Sequence, residues 1–540
     1  MRPSHAAPGE LAGTGTLIRF YLRRDRVKLP AWIAGLAAFA IYITSALPQI
    51  APTKPELQSA VSLLAQPVGR MFTGPGYGLE SATYARMFVG GYGLYFVIIA
   101  ALMNVFLVVR HTRLEEQTGR AELVRANVVG RHSALTAVLV VAVGTNTVAA
   151  VLVAVIMLAA GYGAAGTVLF AASVAAAGMS FAGIAAITAQ ISEFSRGASG
   201  LAGGVIALAF IVRMVGDMPD EGGSIVSWFS PLAWAQQAAP FVRDRWWVLI
   251  LPVVLSCATV VGGYILQARR DLDASWMAAR PGRAHATRWL SSTWGLGVRV
   301  QRATVIGWLL AVVVAAVVDG AYTQTVIDAG ASLPDTMKQV LGDQGMVAGY
   351  VSYISNFSVY LTIAFVVSSM QIMQRDEAHG RAEIVLSTPV RRTSWMGSHV
   401  AVAAAGLIVI MLLAGLAAGL AAAIVTGDWS TFGDLFLAHA NLIPAVTLVL
   451  GVAAFLFGLI PRIMAAVSWA YVALIIFLSI FGPMLDIPGP LTRLSPLSHL
   501  AAYPVESYQG NPVIMVLVLS GLLTTIGLIG FTRRQVKTGS

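Results

Sequence analysis

Twelve runs of twenty or more mostly apolar residues fix what this 540-residue chain can become. They fall at 29–49, 86–109, 134–160, 165–191, 198–217, 246–267, 303–325, 348–373, 397–426, 433–460, 463–485 and 512–531. A helix needs about 20 such residues to cross ~30 Å of hydrocarbon. Only 11% of the chain is charged, against roughly 25% in soluble domains, so a water-facing surface cannot be built. A single soluble domain, a disordered chain and a secreted disulfide scaffold are excluded, and the one cysteine, Cys257, can form no internal bridge. A transmembrane barrel would show alternating strands of ~10 residues, and that pattern is absent. The expected fold is an all-α polytopic membrane protein with twelve transmembrane helices.

Charge orients it. Arg19, Arg23, Arg24, Arg26 and Lys28 stand directly before the first run, with no short apolar stretch and cleavage site ahead of them, so the segment reads as retained and cytoplasmic. The 35 Lys and Arg then fall mostly on cytoplasmic connections, the bias that sets topology. Both termini are expected in the cytoplasm. The net charge of +10 reflects this and attraction to anionic lipid headgroups. It does not point to nucleic acid, because no soluble domain presents a basic face.

The chain reads as written twice. Glu115-Glu116-Gln117-Thr118-Gly119-Arg120-Ala121-Glu122 after the second run returns 261 residues later as Asp376-Glu377-Ala378-His379-Gly380-Arg381-Ala382-Glu383. At the same offset Tyr92 and Phe96 fall on Tyr353 and Phe357. Arg23, Arg26 and Trp32 recur as Arg299, Arg302 and Trp308, Ser230-Pro231-Leu232 as Ser495-Pro496-Leu497, and Arg269-Arg270 as Arg533-Arg534. The divisions expected are a cytoplasmic segment with an amphipathic connecting helix (1–28), a first half (29–270), a linker with a second connecting helix (271–302) and a second half (303–540). Six spans per half give parallel repeats about an axis along the membrane normal.

Several chemistries are missing. A phosphate-binding loop needs Gly-x4-Gly-Lys-Ser/Thr, and of the four lysines only Lys537 precedes Ser or Thr, with Val536 where glycine is required. No paired cysteines, His-Glu-x-x-His or Gly-x-Ser-x-Gly elbow occurs, so neither a catalytic nor a metal-binding residue is assigned. A charge at mid-bilayer costs ~2.5–3.5 kcal/mol, and few are present. Arg213 is expected to snorkel outward, and Asp319 and His439 to anchor or pair locally near the outer ends of their spans. An ion-driven carrier would bury a denser relay.

What remains is two repeated loops, 110–133 and 374–396. Gly119 and Gly380 can break the helix leaving the membrane, and the next residues can form a short helix along the surface. Arg120 and Glu122 are two apart and cannot face each other on it. Residues 14–28 and 289–302 mix apolar residues with arginine as interfacial helices do. Aromatic stripes place Phe88, Tyr92, Tyr95 and Phe96, and Tyr350, Tyr353, Phe357 and Tyr360, on single helical faces, with Asn356 as a polar handle. Tyr92, Tyr95, Phe96, Tyr353, Asn356, Phe357 and Tyr360 are the candidate substrate-cavity residues. The segments 217–245 and 483–511 are expected to dip back as short helices.

At these residues the chain resembles the permease subunits of bacterial ABC-2 type exporters, and is similar to the actinobacterial tetronasin-resistance and multidrug-efflux type. The matching features are the Glu-Glu/Asp-Glu…Gly-Arg-Ala-Glu loops, Ala279-Arg280-Pro281-Gly282, and Gly297-Val298-Arg299-Val300-Gln301-Arg302 leading to Gly307-Trp308. The resemblance implies a bacterial plasma-membrane permease that exports amphipathic small molecules (drugs, antibiotics or lipids). Two copies of a separate ABC ATPase subunit would bind ATP and Mg, and this chain would hold no cofactor. It implies coupling through Glu115, Glu116, Gly119, Arg120 and Glu122, with Asp376, Glu377, Gly380, Arg381 and Glu383. Gly130 facing Arg391, with Pro389 only in the second copy, implies unequal docking surfaces. A twelve-span ion-coupled secondary transporter and a membrane-embedded enzyme acting on lipid-linked substrates are the alternatives.

Overall fold

Apolar runs of this length have one solution in lipid, where every backbone group must be satisfied within its own segment. The computed structural model, which describes residues 9–65, 67–126, 129–270, 276, 285–329, 346–481 and 488–536, contains twelve helices long and apolar enough to cross a membrane. Spans 1 to 6 are Lys28–Ile50, Tyr84–Gln117, Ser133–Ala159, Ala164–Ile191, Ser195–Asp217 and Trp246–Ala268. Spans 7 to 12 are Thr293–Asp328, Val347–Ala378, Arg392–Thr426, Ser430–Leu459, Pro461–Ile480 and Gly510–Arg533. Each of the twelve expected runs lies on one of them, apart from residues 482–485 of the eleventh, which fall outside the described residues. The protein is an all-α, multi-pass membrane protein.

Contacts within the chain divide it into two compact units, Met1–Pro281 and Gly282–Ser540. In each, the fourth and sixth helices of the unit meet at small residues. A Cβ on Gly263 of span 6 would touch that of Ala186 on span 4, and Gly458 of span 10 lies against the backbone of Gly527 on span 12. Lipid tails are as apolar as leucine, so close backbone packing, rather than hydrophobic drive, holds such pairs together. Polar side chains add to it in the first unit. Asn104 of span 2 and Asn146 of span 3 exchange amide hydrogen bonds of 3.0 and 2.9 Å in the core, a pairing no sequence motif announced.

The side on which span 1 begins, here the basic side, shows a difference between the units. An amphipathic helix, α1 (Thr14–Arg24), precedes span 1 and is separated from it by three non-helical residues. The second connecting helix, expected as a separate element ending near 302, is instead continuous with span 7, one helix running Thr293–Ala321. Pro30 is the cause. It has no N–H, and its ring crowds the carbonyl four residues back, so a helix starts readily just before it and is weakened where it would continue from the preceding turn. Ile306 occupies the matching place in the second unit and lets the helix pass. The linker residues 271–275 and 277–284 lie outside the described residues.

Gly130, opposite Arg391 in the repeat, has a steric reason. The N-terminal segment docks on it, with Gly130 N–H donating to the Ala12 carbonyl at 2.9 Å and His132 N–H to Glu10 at 3.1 Å. A Cβ at Gly130 would run into the Glu10 carbonyl. Gly130→Ala is expected to cost ~1–3 kcal/mol of this docking and to raise tryptic cleavage at Arg19 and Arg23 about tenfold; unchanged cleavage would show that the segment is held elsewhere.

On the far side, residues 217–245 form the expected short helices, Ile225–Phe229 and Trp234–Gln237. Within 483–511, residues 482–487 lie outside the described residues, and Gly489–Thr492 and Pro496–His499 are short helices. Arg213 does not snorkel. It is fully buried, 3.3 Å from Asp217 one turn on, and donates to the Met71 carbonyl and to Gln236 Oε1. Asp217 also accepts from Ser227 Oγ. Arg70 closes the cluster, donating to the carbonyls of Ala65, Asp217, Met218 and Pro219. A guanidinium supplied with a carboxylate and carbonyls inside the protein has no need of the interface.

Candidate functional site

Both repeated loops are built by one backbone device. Two residues past the ends of spans 2 and 8, Gly119 and Gly380 take left-handed backbone, φ +70° and +71°. A Cβ would meet nothing within 4 Å at either, so conformation, not space, calls for glycine there. The chain turns and starts the short helices Arg120–Arg125 and Arg381–Leu386.

The acidic residues of these loops then divide by direction. Glu116 and Glu377 face inward. Arg270 donates to both oxygens of Glu116 at 2.7 and 2.8 Å, and Arg534 forks onto both oxygens of Glu377 at 2.5 and 2.6 Å. These arginines are the repeated basic pair at the ends of spans 6 and 12. Arg131 and Arg392, themselves 261 residues apart, secure the same ends. Arg131 donates to the carbonyls of Gln267, Ala268 and Arg270, and Arg392 to those of Thr532 and Arg534. The last carbonyls of a helix have no partner within it and carry its negative pole, so a cation there is favoured. In both units the second, third and sixth helices are thus tied on the basic side. Sequence reading missed this clasp, although two repeated motifs of opposite charge at opposite ends of each half were its signal.

Glu115 and Asp376 differ. Glu115 is buried and paired with Arg24 of α1, whereas Asp376 holds the exposed Arg381 across its own glycine turn at 2.8 Å. Beside Glu115, Asp25 joins α1 to span 2 by ion pairs to His111 and to Arg110, the latter at 3.0 Å. Burial works against ionising Asp25, but the hydrogen bond and charge of His111, then Arg110 and Lys28, outweigh it and hold the carboxyl below its ordinary range. Outward from the loops stand Arg120, Arg381, Glu122 and Glu383, the last two each followed by an aliphatic residue: Leu123, 72% exposed, and Ile384, 70% exposed.

The aromatic stripe of span 2 does not hold as one face. Phe88–Tyr92 is a π-helical turn, and one inserted residue rotates the remainder of the helix by about 100°. Phe96 is fully buried against Phe39, Phe88 and Phe170, Tyr92 is half-buried, and Tyr95 is exposed. In span 8, Tyr353, Phe357 and Tyr360 stay in edge contact, with ring centroids 5.3 and 5.7 Å apart. Phe357 is exposed, and Tyr360 donates to Ser479 Oγ at 2.6 Å. Asn356 lines a cavity of about 510 Å³ with Ser352, Asn441, Ser479 and Tyr503. His439 is buried between Ser355 and Ser358, 3.3 and 3.0 Å away. Asp319 is half-buried, and its carbonyl accepts from Tyr350.

The family model described as "Multidrug efflux system permease Rv1217c, C-terminal domain" matches residues 15–266 and 290–532. The multidrug efflux system permease protein Rv1217c of Mycobacterium tuberculosis is 33% identical over 546 residues, spanning 99% of this chain and 98% of the relative. The exposed loop tips and the clasp beneath them therefore sit in a chain matched almost end to end, and the protein belongs to the Rv1217c family of multidrug efflux system permeases.

Proposed function

We propose that this chain is the transmembrane subunit of an ATP-driven exporter of amphipathic small molecules. It comprises two copies of a six-span unit, with both termini in the cytoplasm of a bacterial cell. One observation carries the reading. On the basic side, two loops of the same backbone geometry each present an exposed acid and an exposed aliphatic residue, Glu122-Leu123 and Glu383-Ile384. A soluble motor needs such a handle on each half, and the clasp of Glu116 with Arg270 and of Glu377 with Arg534 joins each handle to the helices behind it. ATP and Mg belong to two copies of a separate ATPase subunit. Closing on ATP, these press on the loops and favour one access state, because a ligand shifts an equilibrium only by binding one state better. Glu122, Glu383, Arg120 and Arg381 make the contact. Gly119 and Gly380 shape it, and Glu115, Glu116, Asp376 and Glu377 support it from inside. Tyr92, Tyr95, Tyr353, Asn356 and Phe357 remain the substrate-facing candidates, with Phe96 and Tyr360 packing behind them. The buried Arg213–Asp217 ion pair and the serine-bound His439 each have local partners, which favours this reading over ion coupling.

The test is reconstitution in nanodiscs with a candidate ATPase. Glu122→Arg with Glu383→Arg is expected to lower drug-stimulated ATP hydrolysis about tenfold or more, since like-charge contact costs several kcal/mol. Glu506→Arg, on the far side, leaves it unchanged. Full stimulation by the double variant would remove the coupling role.

A further inference from the structure

A cavity of about 630 Å³ opens on the basic side of the first unit, between the ends of spans 1, 2 and 5. Its residues are sorted by depth. Lys28 and Arg196 lie at the mouth, at the starts of spans 1 and 5, and Arg110 lies beside them about two turns before the end of span 2. Trp32 and Phe106 lie one turn further into the spans, about 6 Å deeper, with ring centroids 6.3 Å apart and planes inclined at 27°. Phe106 is half exposed, and Met103 continues the apolar wall. Asp25 is the one carboxylate in the lining and is already engaged by His111 and Arg110. Lys28 and Arg196 are exposed; among the described residues neither makes a direct ion pair, although Lys28 lies near enough to Asp25 to act on its carboxyl.

We propose that this cavity binds one anionic phospholipid of the cytoplasmic leaflet, its phosphate between Lys28 and Arg196 and an acyl chain along Trp32 and Phe106. Three cations against one occupied carboxylate call for an anion, and basic pockets between spans on this side suit lipid headgroups. The descent from charge to aromatic to aliphatic wall along the span axes matches a lipid, whose chain continues into the bilayer, better than a free phosphate, which would leave the rings uncovered. The site belongs to the first unit alone. At the offsets of 276 and 261 the second unit carries Thr304 for Lys28 and Gln371 for Arg110, and the second residue of span 11, in the place of Arg196 on span 5, is Arg462, so two of the three charges are gone. The inference needs neither an ATPase nor the exporter reading.

The experiment titrates the purified full chain in neutral detergent with phosphatidylglycerol or phosphatidylcholine, followed by native mass spectrometry and by the thermal unfolding midpoint. One phosphatidylglycerol per chain is expected to be retained, with phosphatidylcholine displaced. Lys28→Gln with Arg196→Gln should weaken retention about thirtyfold, from about fivefold per charge near an anionic headgroup, and Arg462→Gln should not. Both altered residues are exposed, and an unchanged lipid-free midpoint shows that the fold survives. Equal retention of phosphatidylcholine overturns the proposal, as does undiminished retention by the double variant. Preference for 8-anilinonaphthalene-1-sulfonate over phosphatidylglycerol assigns the cavity to a soluble anion and also overturns it.

Discussion

Arg213→Leu is expected to cost ~3–5 kcal/mol, the penalty of leaving a buried charge without its partner. Asp217, fully buried beside it, would keep only Ser227 and the more distant Arg70. The loss comes from the stranded carboxylate, not from the missing attraction, and this distinguishes the pair from a surface salt bridge. The double variant Arg213→Leu, Asp217→Leu should therefore recover most of it, because a hydrophobic replacement of a buried pair is often neutral or better. Unfolding midpoints of purified single and double variants in detergent give the answer. A double variant as unstable as the single one would mean that Arg213 acts through Gln236 and the Met71 carbonyl instead.

The clasp on the basic side gives the second large effect. Glu377→Arg places a second guanidinium against Arg534, in a site where Glu377 is 6% and Arg534 14% exposed. The expected cost is about 3 kcal/mol or more, and the same holds for Glu116→Arg against Arg270. Swapping the pair, Glu377→Arg with Arg534→Glu, should restore at least half of that, measured as the coupling energy of a double-mutant cycle. Arg534 also stacks over Phe457 and Phe531, 5.2 and 4.9 Å from the ring centroids, so the swap cannot restore everything. A coupling energy near zero would reduce the clasp to two independent side chains.

These residues show what was legible in the sequence and what was not. The spans were, because hydropathy over twenty residues overrides local detail. The loop turns were, because glycine before a short amphipathic stretch has few other uses. Direction was not. Glu116 and Glu122 look alike in one dimension, and it is the buried Arg113, three residues back, together with Arg270, 154 residues on, that turns the first inward. Arg213 was partly legible, since Asp217 follows it by four residues on one helix. The stripe of span 2 failed because a π-helical turn breaks the period on which the reading relied.

Pro30 has a mechanical consequence. In the first unit α1 meets span 1 through three non-helical residues, so a push on α1 passes less directly to span 1 than to its neighbours, through the ties of Arg24, Asp25 and Tyr21 to span 2 and the packing on span 3. In the second unit residues 293–302 and span 7 are a single rod, and the same push would swing its opposite end like a lever. One proline gives the two units a different stiffness at the entry to their first spans.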